Sequence, residues 1–321
     1  MEVLRDPLGS DDPPRGSVLS IGNFDGVHLG HQAVLSYVAE RAKTLGVPGM
    51  AMTFDPHPIK LLRPADAPRL LTTLDQRLAL IARTGIQKCM LLPFTHRVAR
   101  MTAESFVRDV LVERLAVREV YIGKNFRFGA DRGGDVELLN TLGSELGFQA
   151  ASSPIVEHAG GVVSSTRVRQ VVSEGRVDEA TGLLDRAVFI DGRVLEGKRL
   201  GRTLGFPTLN IEVENELVPN HGVYVTAVHI PSFDRTFPAV TNIGVRPTIY
   251  QNSLTTVESH LLDFMADVYR EQVRLFFLAR LRDERAFDST TQLMTQIRRD
   301  VEVSREFFVE SPISDLPLVL P

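Results

Sequence analysis

The densest chemistry in the chain lies in Gly22-Asn23-Phe24-Asp25-Gly26-Val27-His28-Leu29-Gly30-His31. Its glycines let the backbone approach a ligand closely and take positive φ. His28 and His31 flank Gly30 as His-x-Gly-His, and the apolar run Val18–Ile21 precedes the loop. After it, Val34, Leu35, Val38, Ala42 and Leu45 recur at helical spacing and Gly46 can cap the end, which predicts a helix over 31–45. A helix opening at His31 aims its unpaired N–H groups and positive dipole end at the loop. The chemistry this fits is a phosphate cradle with two imidazoles placed to stabilise charge developing on a phosphoryl oxygen. A glycine-rich turn with incidental histidines competes with it. So does a metal site on His28 and His31, although no third ligand is evident.

A second constellation runs from Gly197 to Asn210. Gly197, Arg199, Gly201 and Arg202 make a flexible cationic loop suited to folding over polyphosphate. Phe206-Pro207-Thr208 follows, with Thr208 and Asn210 alternating along an extended chain so that their oxygens face one side. Hydroxyl and amide oxygens are hard ligands for Mg²⁺. A β-turn with a solvated basic face is the plain alternative.

Weaker motifs surround these two. In Phe54-Asp55-Pro56-His57-Pro58 two prolines stiffen the loop and hold His57 and the Phe54 ring in place. In the segment Gly123–Gly129, Asn125 supplies a donor and an acceptor on one planar amide, and Phe126 and Phe128 either pack or stack on a ring. Ser165, Thr166 and Arg169 open a short helix; hydroxyls there are ordinary caps, but with Arg169 one turn on they form an oxyanion clamp. Glu258 sits between Val257 and the Ser259-His260-Leu261 run on a strand, and by itself reads as an exposed carboxylate.

The elements that must position these residues fall into two groups. From Val18 to about Leu184, strand candidates at 50–54, 88–92, 119–122 and 149–155 alternate with helix candidates at 74–83, 103–115 and 136–146. That alternation predicts a doubly wound, Rossmann-like α/β domain with a parallel sheet, whose ligands bind beyond the carboxyl ends of the strands. From Val188, short β-rich runs at 188–194, 222–230, 237–241, 255–262 and 273–278 predict a small antiparallel barrel, closed by an amphipathic helix over 292–308. The expected domains are 17–185 and 186–310. The N-terminus is acidic and proline-rich, and the tail 311–321 is expected to be loose.

Composition narrows the class. With 321 residues, 43% hydrophobic and 24% charged, the chain supports two globular cores. A net charge of −4 argues against a general nucleic-acid binder, and no apolar run reaches membrane-spanning length. Cys89 is the single cysteine and lies in an apolar run, so it reads as a buried strand residue in a reducing, cytoplasmic setting.

On these motifs the sequence resembles the bifunctional riboflavin kinase/FMN adenylyltransferases, from about Ser17 to about Phe308. His-x-Gly-His is the signature of α/β nucleotidyltransferases that transfer AMP from ATP, and Gly-Phe-Pro-Thr-Leu-Asn is similar to the riboflavin kinase motif, with Leu209 in place of alanine. The resemblance implies two reactions: FMN from riboflavin and ATP, then FAD from FMN and ATP with release of pyrophosphate. One retained activity, with the other domain a flavin-binding or regulatory module, is the alternative. His28, His31 and Glu258 are the implied catalytic groups. Gly22, Phe24, Asp25, Gly30, Asn125, Ser165, Thr166, Arg169, Gly197, Arg199, Gly201 and Arg202 are implied at ATP. Phe54, His57, Pro58, Asn125 and Phe128 are implied at flavin, and Thr208 and Asn210 at Mg²⁺. The implied partners are small-molecule substrates, with no nucleic acid and no membrane, for a monomer or weak homo-oligomer. Asp185 and Ala187 stand where the family often has Gly and Pro, and Arg270 where Gly is common.

Overall fold

The computed structural model describes residues 1–5, 15–196, 205–246 and 254–320. The chain divides into two compact units, Met1–Arg69 with Leu74–Ser164 and Leu70–Thr73 with Ser165–Pro321.

The first unit is built on a parallel sheet. Its strands are β1 (Glu2–Arg5), β2 (Val18–Ile21), β3 (Gly49–Asp55), β4 (Lys88–Pro93), β5 (Glu119–Gly123) and β6 (Gln149–Ser153), in the order β1-β4-β3-β2-β5-β6. The helices are α1 (Leu29–Leu45), α2 (Pro58–Leu62), α3 (Leu74–Ala82), α4 (His96–Ala99), α5 (Ala103–Ser105) and α6 (Val136–Leu146). Every residue of β2 is buried, because helices cover both faces, and α1 turns Val34, Leu35, Val38 and Ala42 onto the sheet. A short hairpin, β7 (Glu157–His158) with β8 (Gly161–Val162), ends the unit.

Two expectations are corrected here. The N-terminus opens with β1, an edge strand paired in parallel with β4, where composition suggested only an acidic leader. The helix expected over 103–115 is α-helical only at α5; Phe106–Arg114 is π-helical, and its end is marked by the Leu115 N–H donating five residues back to Val110. Hydrophobic spacing registers a buried face and is too coarse to distinguish those two hydrogen-bond periods.

The second unit begins with α7 (Ser165–Ser173) and α8 (Val177–Leu184) and continues into the barrel. Its strands are β9 (Val188–Leu195), β10 (Leu209–Val213), β11 (Gly222–Ile230), β12 (Arg235–Arg246), β13 (Leu254–Leu261) and β14 (Gln272–Arg282). They close in the order β10-β13-β12-β11-β14-β9, every pair antiparallel. The interior carries a hydroxyl chain: Thr226 Oγ1 lies 2.7 Å from Thr241 Oγ1, which donates to Ser259 Oγ at 3.0 Å. Outside, α9 (Thr290–Glu310) packs Val301 onto Val223, Val240 and Leu262, and Asp300 accepts a bidentate contact from Arg282. The tail is tied down rather than loose. The Ala187 N–H donates to the Pro317 carbonyl at 2.9 Å, and Arg274 Nη1 donates to the Val319 carbonyl at 2.8 Å.

Two side chains of the first unit have measurable consequences. Cys89 on β4 is fully buried, and burial pushes its thiol up to about 12. A thiol reagent at pH about 8 is expected to leave the native chain unlabelled and to label it once after denaturation. Glu119, 3% exposed, accepts from Arg41 Nη2 at 2.7 Å, Arg41 Nε at 2.9 Å and the Tyr121 hydroxyl at 2.8 Å. The Arg41 hydrogen bonds hold its carboxyl below the usual range, so this contact stabilises the fold fully above the unfolded carboxyl value of about 4.3. The advantage of the wild type over Glu119→Gln in melting temperature is expected to be constant near neutrality and to vanish as pH falls through the depressed folded value.

Candidate functional site

The Gly22–His31 loop leaves β2 at the carboxyl end of the sheet and feeds α1. The helix starts two residues earlier than the spacing predicts, at Leu29, because His28 is its N-cap: its Nδ1 accepts the His31 backbone N–H at 3.4 Å. An Nδ1 used as acceptor leaves the proton of the neutral ring on Nε2, which makes Nε2 the donor. The His28 and His31 rings are stacked, centroids 3.7 Å apart and 18° between planes, and the Phe24 ring meets His31 edge-on at 5.2 Å. Gly30 makes room for this pair: a Cβ there would lie 3.2 Å from His28 Cε1. The turn is strained, with φ of 49° at Phe24 and 37° at Val27. Burial of both side chains and a bond from Gln32 Nε2 to the Val27 carbonyl at 2.9 Å hold it. Asp25, 2% exposed, is enclosed in the same turn.

Neighbouring strands carry the supporting residues. β3, paired with β2, leads into a cis Asp55–Pro56 bond and then His57, which caps α2 by accepting the Ile59 N–H on Nδ1 at 3.3 Å. Pro58 occupies the first helical position. Phe54 is 7% exposed and lies in the core, edge-on to Phe94. β5, on the other side of β2, leads into Asn125, which is exposed. Phe126 and Phe128 stack on each other at 6.4 Å and both pack against the core. Ser165, Thr166 and Arg169 lie in the first five residues of α7, which belongs to the second unit.

In the barrel, strand register places one polar row across three strands. Asn210 on β10 is directly opposite Glu258 on β13, and Glu258 is directly opposite Asn242 on β12. Directly opposed residues share a face, so three residues far apart in sequence stand side by side. Leu209 faces the other way, opposite the buried Ser259, and leaves that row clear. Next to it, His260 Nδ1 donates to the Pro207 carbonyl at 2.7 Å and its ring meets Phe206 edge-on, anchoring the segment that leads to Thr208. The hard oxygens of Thr208 and Asn210 beside Glu258 fit Mg²⁺, which takes one or two protein ligands and completes its shell with water and phosphate. Among the described residues no cluster of three His, Cys, Asp or Glu could hold a metal by itself. Gly197, Arg199, Gly201 and Arg202 lie outside the described residues.

Comparison with known proteins matches two successive stretches of the chain. A FAD synthetase family model matches residues 10–167 and a riboflavin kinase model matches residues 184–308. The bifunctional riboflavin kinase/FMN adenylyltransferase of Escherichia coli K12 is 39% identical over 93% of this chain and 95% of its own. The chain belongs to the bifunctional riboflavin kinase/FMN adenylyltransferase family. Its Pseudomonas fluorescens relative is 40% identical over 95% of this chain and 97% of its own. A solved structure titled as a macrolide-efflux protein from Streptococcus pneumoniae is also similar, with a TM-score of 0.85 and 29% identity over 95% of this chain and 99% of that one. No described helix of this family member is long and apolar enough to cross a membrane.

Backbone conformation and bonding set apart Asp185, Arg270 and Ala187. Asp185 (φ 54°) and Arg270 (φ 69°) both sit in the left-handed region that glycine enters without strain. Ala187 donates its N–H to Pro317, a bond that proline could not make. Asn242, opposite Glu258, is not singled out by any motif above, and His260 appears there only as a neighbour of Glu258. The signal was present at His260, which is two residues from Glu258 and therefore on its face.

Proposed function

We propose that the chain makes FMN and then FAD in two sequential reactions, the barrel acting as riboflavin kinase and the α/β unit as FMN adenylyltransferase. The observation that carries this reading is the presence of both family matches in one chain, each over a unit with its own polar constellation. The functional domains are taken as 17–185 and 186–310.

In the kinase reaction the riboflavin 5′-hydroxyl attacks the γ-phosphorus of ATP and ADP departs. Glu258 accepts the hydroxyl proton as the new O–P bond forms. Asn210 and Asn242 flank Glu258 in register and orient it and the substrate. Thr208 and Asn210 would hold Mg²⁺, which would supply positive charge against the transferring phosphates. The cationic residues Arg199 and Arg202, with Gly197 and Gly201, bind the ATP polyphosphate.

In the adenylyl transfer an FMN phosphate oxygen attacks the α-phosphorus of ATP and pyrophosphate departs. His28, with Nε2 as donor, and His31 stabilise charge on the α-phosphoryl oxygens, and the stacked geometry holds both rings ready before substrate arrives. Gly22, Phe24, Asp25 and Gly30 shape the cradle around ATP, with Asn125 reading the nucleotide. Ser165, Thr166 and Arg169 hold the departing β- and γ-phosphates. His57 and Pro58 present the flavin loop, joined by Phe54, Phe128 and Asn125. No covalent enzyme intermediate is required, because positioning and electrostatics carry such a transfer. The chain works on small molecules in the cytoplasm, where ATP is available, as a monomer or weak homo-oligomer without nucleic acid or membrane.

A product-resolved time course with riboflavin, ATP and Mg²⁺ tests this directly. FMN should rise first and FAD follow, with one pyrophosphate per FAD; FMN that accumulates and is never adenylated removes the assignment of the α/β unit. His28→Ala should lower FAD formation on the order of 100-fold while leaving FMN formation intact. Glu258→Ala should lower FMN formation by about 100-fold or more and leave adenylation of supplied FMN unchanged. Gly30→Ala should preserve the melting temperature but slow adenylation, because the added methyl presses on the His28 ring; an undiminished rate would show that the ring position is not critical.

A further inference from the structure

Arg77 on α3 is a cation that the reaction described above does not use, yet it is only 4% exposed. Each end of its guanidinium fork reaches a main-chain carbonyl at the carboxyl end of the sheet. Nη1 donates to the Asn23 carbonyl at 3.1 Å, and Nη2 donates to the Phe54 carbonyl at 3.1 Å. Asn23 opens the loop that ends in His28 and His31, and Phe54 is the penultimate residue of β3, just before the loop that carries His57 and Pro58. One planar group therefore ties the loop after β2 to the carboxyl end of β3, from which the His57 loop leaves. The Asn23 carbonyl has a second donor, the buried Thr53 hydroxyl of β3, also at 3.1 Å.

Core packing does not account for this arrangement. A helix covering a parallel sheet meets it most cheaply with apolar side chains, and burying a guanidinium costs several kcal/mol unless it is paired and hydrogen-bonded. Burial pushes the Arg77 guanidinium down, and the charges of Asp25 and Asp55, one from each loop, oppose that effect. Its Nε is buried with no hydrogen-bond partner, so the fork is spent on the Asn23 and Phe54 carbonyls at the expense of its own full satisfaction.

We infer that Arg77 is a positioning residue for FMN adenylation, fixing the His28–His31 loop and the His57–Pro58 loop in one mutual register so that ATP and FMN meet correctly. This rests on the adenylyltransferase reading of the α/β unit. Because the residue spans both loops, its loss weakens the binding of both substrates together, whereas a contact confined to one loop affects one substrate.

The test uses full-length Arg77→Met, Arg77→Lys and Thr53→Val, with kcat and KM measured separately for ATP and FMN. Riboflavin phosphorylation by the same preparations serves as the internal control. Arg77→Met should raise both KM values and lower kcat/KM for adenylation about 100-fold, the size expected for a misplacement near 1 Å, with kinase activity unchanged. Arg77→Lys, which keeps a cation able to reach the carbonyls, should recover about 10-fold of that loss. Thr53→Val should raise the KM for ATP and leave that for FMN unchanged. Both KM values within twofold of wild type in Arg77→Met, with any loss confined to kcat, would overturn the inference. If Arg77→Met cannot be obtained folded, Thr53→Val decides: two unchanged KM values overturn it, and a raised KM for ATP alone supports it. A wild-type chain that forms no FAD from FMN and ATP is a different result, which removes the adenylyltransferase reading itself.

Discussion

A parallel sheet covered on both faces can offer its side chains to solvent only at its ends. All of β2 is buried, as are Met50 through Phe54 of β3, so the centre of the sheet has no free surface on which to place chemistry. What remains is the row of loops leaving the carboxyl ends of β3, β2 and β5, which are neighbours in the sheet. The rest of the unit follows from that constraint. The β2 loop must turn sharply into α1, and it does so through left-handed backbone at Phe24 and Val27 under buried side chains. Having turned, it uses His28 as the cap of α1, so the same imidazole that serves the helix is also locked in place and in tautomer. Helix capping and preorganisation of the site are here one interaction.

The barrel meets the opposite constraint. Closure removes every strand edge, and the interior is filled by packed apolar groups and the Thr226–Thr241–Ser259 hydroxyl chain. One stretch of the outer surface is covered by α9 over Val223, Val240 and Leu262. Chemistry is assembled by cross-strand register, which brings Asn210, Glu258 and Asn242 side by side. In the α/β unit a site is made of consecutive residues in a loop; in the barrel it is made of single residues from separate strands. That difference explains why the Gly22–His31 string is readable by itself while Glu258 alone reads as an unremarkable surface carboxylate.

Backbone geometry gives Asp185, Arg270 and Ala187 particular roles. Left-handed φ at Asp185 and Arg270 identifies both as positions where glycine would be unstrained, and the chain accepts the strain of a larger residue at each. At Ala187 the backbone N–H donates to Pro317 in the C-terminal tail, a bond that proline could not make. The tail's order, unexpected from its composition, comes from such long-range contacts to Ala187 and Arg274.

The Gly22–His31 loop was legible in the sequence because its meaning is local: glycines, histidines and a helix onset act within a few residues of one another. The alternation of strands and helices, the β-rich second half and the closing helix were legible for the same reason, since hydrophobic period is a short-range property. Edge strand β1 escaped because four residues gain their strand character only by pairing with β4. The buried face of Phe54, the row across the barrel and the Arg77 bridge were decided by tertiary structure alone. Each depends on which segments the fold brings within hydrogen-bonding or packing distance, and neither residue type nor local spacing carries that information.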